Sequence, residues 1–269
     1  MAESHNTSGP GGFVVPTLPS PAPSTASATR SASGLPHPRG HALRPGSAKE
    51  DKVRNYIDDR LMYINRRWVK KHGLAEPGDE VIGYKSMGEL CKDLEPLINI
   101  IWLSGTPSLQ IPYLLNIANE FTTWLDSFPP SASATFLILH KLDHAFASLL
   151  KGRDIETNEV LPGFDTGSRS GMSKTDMVRC RSLVELTRVV IVDVMSRGAE
   201  EMETEDDATA ESDVPTSDTE GGRRGLGAFD EDDERLHMDV ARVYENTLVQ
   251  LGEVLGQDAV ADIPQRTED

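Results

Sequence analysis

The stretch that decides the fold is Ser173-Lys-Thr-Asp-Met-Val-Arg-Cys-Arg-Ser-Leu-Val-Glu-Leu-Thr-Arg-Val-Val-Ile-Val-Asp-Val-Met-Ser-Arg-Gly198. Its centre, Val189–Val192, is β-branched and reads in isolation as a strand. Its surroundings do not. Ser173 and Asp176 have the spacing of a capping box, with Asp in place of Glu. From there Met177, Cys180, Leu183, Val184, Val190, Ile191, Val194 and Met195 recur at helical intervals, and Gly198 is a helix stop. A cap, a period and a stop outweigh four β-branched residues, so the spacing predicts one long amphipathic helix.

The same pattern recurs upstream. Val53, Ile57, Leu61, Ile64 and Trp68 form one stripe, closed by Gly73. Ser86-Met-Gly-Glu89 is a capping box that opens a run through Leu90, Leu94, Leu97, Ile98, Ile101 and Trp102, with Gly105 as its end. Pro96 lies inside that run and predicts a kink or a restart. Pro112 is read as opening a third run that Pro129 and Pro130 close. Ser133 is read as the cap of a fourth, from Phe136 to Leu150, ending at Gly152. Downstream, the carboxylates of 230–234 precede Leu236, Val240, Val243, Leu248, Leu251 and Leu255; acids at a helix start are favoured by the macrodipole. Together these predict an all-α fold, a single bundle of about six helices, with helices one to five in 49–197 and the last in 230–256.

The remainder is low in complexity. Residues 1–48 hold eight prolines, eight serines and six glycines, too little apolar surface to offset the entropy of ordering, and are read as a disordered tail. Their prolines argue against a mitochondrial leader, and no charged-then-apolar secretory leader is visible. The chain carries 27 Lys+Arg against 43 Asp+Glu, a net charge of -16. Residues 198–235 alone contribute -12 and 49–197 only -1, so the acidity belongs to one segment and not to the folded body. Residues 198–229 are read as an acidic disordered loop, and 257–269 as a second tail. Thr204, Ser212, Ser217 and Thr219 stand directly before acids and suit an acid-directed kinase.

Each candidate site has a plainer explanation beside the chemical one. Asp165-Thr-Gly-Ser168 has the form of an aspartic-protease loop. That chemistry needs two carboxylates sharing a proton on a β-rich scaffold, so we read it as a turn. His140 and His144, with Asp143 between them, have zinc-ligand spacing, but no third ligand suggests itself, and they are read as a solvated polar face. Arg66, Arg67, Lys70 and Lys71 form a basic cluster at a helix end. It complements the dipole there and is also the candidate patch for a partner or for phosphates. A second set of cations, Lys174, Arg179, Arg181 and Arg188, is read as opposing the acidic last helix. There is no phosphate loop, dinucleotide fingerprint or nucleophile elbow. No catalytic residue, cofactor or metal is expected. Two cysteines, Cys91 and Cys180, are too few for a disulfide scaffold and fit a reducing compartment. No run of eighteen apolar residues exists to cross a membrane.

Residues Ser133–Leu150 and Met172–Arg188 are similar to a group of poorly characterised fungal helical proteins, some labelled as meiotic-recombination proteins. With no phosphate loop present, the resemblance implies an accessory subunit and transfers no functional residue. The expectation is a non-enzymatic helical adaptor binding a partner protein, in the nucleus, within a chromatin or recombination assembly; the cytoplasm is the alternative location. A nucleic-acid-binding accessory protein and a metal-dependent helical enzyme are the alternative functions.

Overall fold

The computed structural model describes residues 33–71, 73, 81–164, 171–208 and 228–261. They form α1 (Ala48–Val69), α2 (Met87–Leu103), α3 (Pro107–Trp124), a 3-10 turn η1 (Leu125–Ser127), α4 (Ala132–Lys151), α5 (Lys174–Ala208), α6 (Ala228–Ala241) and α7 (Glu245–Ala261). No strand is present among the described residues; one isolated bridge joins Arg153 and Val160. The all-α bundle predicted from periodicity is the fold observed.

Helix α4 is the axis. It packs against α2, α3 and α7, while α1 covers α2 and α5 lies on α3 and α7. Every residue from Lys141 to Leu150 is buried. A helix buried on all sides is ordinarily apolar throughout. This one carries Lys141, Asp143, His144 and Ser148, each of which must find a partner inside the protein.

Two of the three predicted caps are present, at Ser86 and Ser173. Ser86 Oγ accepts the N–H of Glu89, and Glu89 returns a bond to the N–H of Lys85. Ser173 Oγ likewise accepts the N–H of Asp176, and Asp176 accepts the N–H of Ser173. Gly152 ends α4 at φ 71, in the left-handed region that Gly enters without steric cost.

Several boundaries differ from those read in the sequence. Helix α2 runs through Pro96, which is exposed, so its ring displaces nothing in the core. Helix α3 starts at Pro107, not Pro112; Pro at the first position costs nothing because that N–H is unpaired in any helix. Ser131, not Ser133, precedes α4, and it makes no side-chain cap. Gly198 does not end α5, which continues to Ala208. A single Gly costs only about 1 kcal/mol against Ala, and the good helix formers that follow absorb it. Residues 33–47, assigned to the tail, are instead a strap on the bundle. Leu35 and Leu43 are buried, Leu43 N–H donates to Thr106 Oγ1 at 2.8 Å, and the Gly34 carbonyl accepts Lys141 Nζ at 2.6 Å.

The last predicted helix is divided in two. The chain breaks at 242–244, where Tyr244 has φ 57. Both broken ends are satisfied by distant side chains. The Arg188 guanidinium donates to the carbonyls of Ala241 (3.1 Å) and Val243 (2.5 Å). Asp143 caps α7: Oδ1 accepts the Thr247 N–H (2.8 Å) and hydroxyl (2.7 Å), and Oδ2 accepts the Asn246 N–H (3.3 Å) and side-chain amide (2.9 Å).

Candidate protein-docking surfaces

The basic cluster at the end of α1 is not four equivalent cations. Arg67 turns inward. Its guanidinium lies 4.0 Å above the Tyr84 ring, donates to Asp93 Oδ2 at 2.7 Å, and bonds the Ile82 carbonyl at 2.9 Å. Tyr84 also donates to Asp93 (2.8 Å). Burial first, and then that bond, push its hydroxyl well above the usual phenol range. Lys71 lies 3.9 Å over the Trp68 ring, and Arg66 is exposed beside Met62. Trp68 Nε1 donates to Ser127, pinning this end of α1 to η1. Arg66 is the exposed cation of the cluster, and Lys70 and Lys71 are half-buried.

The polar residues of α4 depart from expectation. His140 is exposed, but Asp143 and His144 are 3% and 2% exposed, so the solvated face assigned to them is wrong. His144 Nε2 pairs with Asp154 Oδ2 at 2.9 Å, and its ring stands edge-on to Trp102 at 5.7 Å. Its Nδ1 is 3.4 Å from Glu156 Oε1, close enough for an ion pair yet without hydrogen-bond geometry. Asp154 also accepts the N–H groups of Glu156 and Thr157 at 2.9 Å each. Burial raises its pKa, but His144 and these N–H bonds outweigh that and hold it below the usual carboxylate range. The pair anchors the loop after α4. Among the described residues no group of three or more His, Cys, Asp or Glu is placed to hold a metal ion.

Asp165 and the rest of that motif lie outside the described residues, as do Ser212, Ser217 and Thr219. Thr204 falls on the last turns of the α5 backbone. Of the second basic set, Arg188 does oppose the last helical segments, through the carbonyls at the α6–α7 break. Arg181 pairs with Glu185 one turn along α5.

Two surface features escaped the sequence reading. A groove of about 970 Å³ opens between the starts of α2 and α4 and the side of α6, with Phe136, Leu137 and Leu236 among its apolar walls and Lys92, Glu95 and His140 among its polar ones. The second feature is the outer face of α5. Its inner face is core: Met177, Cys180, Leu183, Val184, Ile191, Val194 and Met195 are buried. Opposite them Val178, Leu186, Val189 and Val192 are 57%, 54%, 68% and 51% exposed. Placing the α5 sequence on a helical wheel reveals this, because its aliphatic residues outnumber the places on one stripe.

The described residues thus form an all-α bundle that leaves aliphatic side chains on the outside of α5. The sequence matches the TFB6 family, subunit 11 of the general transcription factor TFIIH, over residues 83–252, and the chain belongs to that family. It is 26% identical over 199 residues to the general transcription and DNA repair factor IIH subunit TFB6 of Saccharomyces cerevisiae, covering 58% of this chain and 55% of that protein. It is also 26% identical over 149 residues to an uncharacterized protein of Schizosaccharomyces pombe, covering 54% of this chain and 80% of that one. The chain thus spans about half the length of the Saccharomyces relative. No solved structure matches it. The resemblance to uncharacterised fungal proteins stands, but the meiotic-recombination label is corrected: the family is that of a transcription-factor subunit.

Proposed function

We infer that this chain is a non-enzymatic helical subunit that assembles with TFIIH in the nucleus, serving as an adaptor there. The observation that carries the reading is the family match, which runs from just before α2 into α7 and so takes in most of the bundle. The relative's printed description as a transcription and repair factor subunit supports the same placement. An adaptor works through surface and not through a site, and the exposed aliphatic residues of α5 accord with that. Size-exclusion chromatography of the full chain with purified TFIIH tests it: co-elution in a fixed ratio is expected, and separate elution at micromolar concentration overturns the reading.

Nucleic-acid contact is the second reading, favoured by the basic residues Arg66, Lys70 and Lys71 at the end of α1. It requires a salt-dependent affinity for duplex or single-stranded DNA that falls when the three are replaced by Glu. Thr204, Ser212, Ser217 and Thr219 remain the proposed phosphate acceptors, to be checked by mass spectrometry after treatment with an acid-directed kinase.

A further inference from the structure

We propose that the groove between α2, α4 and α6 is the docking site for the chain's own Phe13-Val-Val-Pro-Thr-Leu18, which fills it intramolecularly. The inference does not depend on the TFIIH reading.

The groove selects a neutral, apolar guest. It measures about 970 Å³, a size that takes several side chains and not one. Phe136, Leu137 and Leu236 supply apolar walls, and Leu137 is 40% exposed. Lys92 and Arg235 are matched in number by Glu95 and Asp239, so charge favours neither an acidic nor a basic segment. What remains to decide the occupant is apolar surface left in contact with water.

One segment of the chain answers that description. Residues 1–32 lie outside the described residues and join them at Ser33. Within them Phe13, Val14, Val15 and Leu18 place four large apolar residues in six positions, with no charged residue among them. The other segments outside the described residues lack such a cluster. Residues 209–227 carry six charged side chains against Val214 and Leu226, and residues 262–269 carry four against Ile263.

The chain also enters the bundle beside the groove. The Gly34 carbonyl accepts Lys141 Nζ at 2.6 Å, and Lys141 Nζ lies 3.4 Å from Oε1 of Glu95, which lines the groove. Residues 19–32 need only span from this edge inward. Fully extended they reach about 45–50 Å, against about 30 Å for the whole of α4. A link of this length holds its ends at an effective concentration near ~1 mM, at which a contact with a Kd of about 0.1 mM is made about 90% of the time. A weak contact is therefore sufficient. The adjoining strap already binds in this manner: Leu35 and Leu43 are buried anchors with Pro36 and Pro38 between them. Phe13 to Leu18, with Pro16 inside and Pro19 after, has the same make-up. Proline removes N–H groups that would otherwise need partners against apolar walls.

A photoreactive p-benzoylphenylalanine in place of Leu137, in the full chain alone at low micromolar concentration, tests the proposal. Irradiation and peptide mapping are expected to place the cross-link on residues 13–18, and a mixture of isotope-labelled and unlabelled chains is expected to show it within one chain. Phe13→Asp with Leu18→Asp is expected to cut the yield about tenfold or more, with the circular-dichroism spectrum unchanged because neither residue belongs to the helical body. The same probe at Ser133, an exposed position of the groove, replaces the Leu137 variant if that one does not fold; at Val178 on α5 it is expected to give no product on residues 13–18. A map that lacks residues 13–18, one in which they come from a second chain, or a yield that the double variant leaves unchanged overturns the proposal. TFIIH is absent throughout, so such a failure leaves the proposed function standing.

Discussion

Replacing Asp143 by Ala tests the central energetic feature of the fold. Its carboxylate is 3% exposed and receives four hydrogen bonds from the first turn of α7. A hydrogen bond to a charged acceptor contributes about 1.5–3 kcal/mol, and loss of an ordinary N-cap costs about 1 kcal/mol. The four bonds share one acceptor group and are not additive. The Thr247 hydroxyl retains a partner in the Asp143 carbonyl, 3.2 Å away. What remains is two helix-start N–H groups deprived of their acceptor and a lost charge–dipole interaction, together about 3–4 kcal/mol. For a domain of this size that lowers Tm by about 10 °C. The deficit is local in origin, so native-state hydrogen exchange should show the amides of Asn246–Leu251 opening first, before the global transition. Asp143→Asn keeps an oxygen able to accept from Thr247 and should recover part of the loss. A denaturation curve for Asp143→Ala within about 1 kcal/mol of the parent refutes the view that this carboxylate holds α7 against α4.

Other outcomes follow from single contacts. Asp154 has a folded pKa below its unfolded value, so the stability it contributes is complete above the ordinary carboxylate range and is lost as pH falls through about 4 and below. Stability measured from pH 6 to pH 3 should drop less steeply in Asp154→Asn than in the parent, and equal slopes count against the pairing with His144. Burial pushes both thiols, Cys91 and Cys180, up to about 12, with Glu95 and Asp143 respectively adding to it. Ellman's reagent at pH 8 should therefore leave the native protein unmodified and titrate two thiols in denaturant; fast labelling of native protein contradicts their burial. Gly152→Ala forces Ala into the left-handed region and brings its Cβ to 2.8 Å from Phe164 Cδ1. A loss of about 2 kcal/mol in chemical denaturation is expected, and an unchanged midpoint means that the turn after α4 can be rebuilt.

The legible part of the fold was local. Both capping boxes, at Ser86 and Ser173, and the αL stop at Gly152 are encoded within four residues of where they act. Helical wheels pick out the core faces of α1, α2 and α5. The breakers were overread. Pro96 sits on a solvated face, Pro112 lies beyond a start already set by Pro107, and the Gly198 penalty is small, so none of the three ends or begins a helix. The candidate site was less legible. The four-residue basic cluster looked uniform, yet Arg67 is claimed by Asp93 and Tyr84, contacts that no local spacing displays. Val189 and Val192 stand out in the sequence as part of a β-branched run, and only the folded structure puts them on the exposed side of α5.

Helical class and the caps at Ser86 and Ser173 were determined by sequence alone, because each depends on residues within a few positions of one another. Where the chain breaks before α7, why a histidine and two oppositely charged residues are tolerated in the central helix, and which side of α5 stays bare were decided only by tertiary structure. The reason is physical: Arg188 reaches the carbonyls at the break from more than fifty residues away, Asp143 reaches α7 from about a hundred, and Lys141 meets Gly34 across a similar separation. A buried polar group is stable only with its partner in place. Packing, and not spacing, brings these partners together.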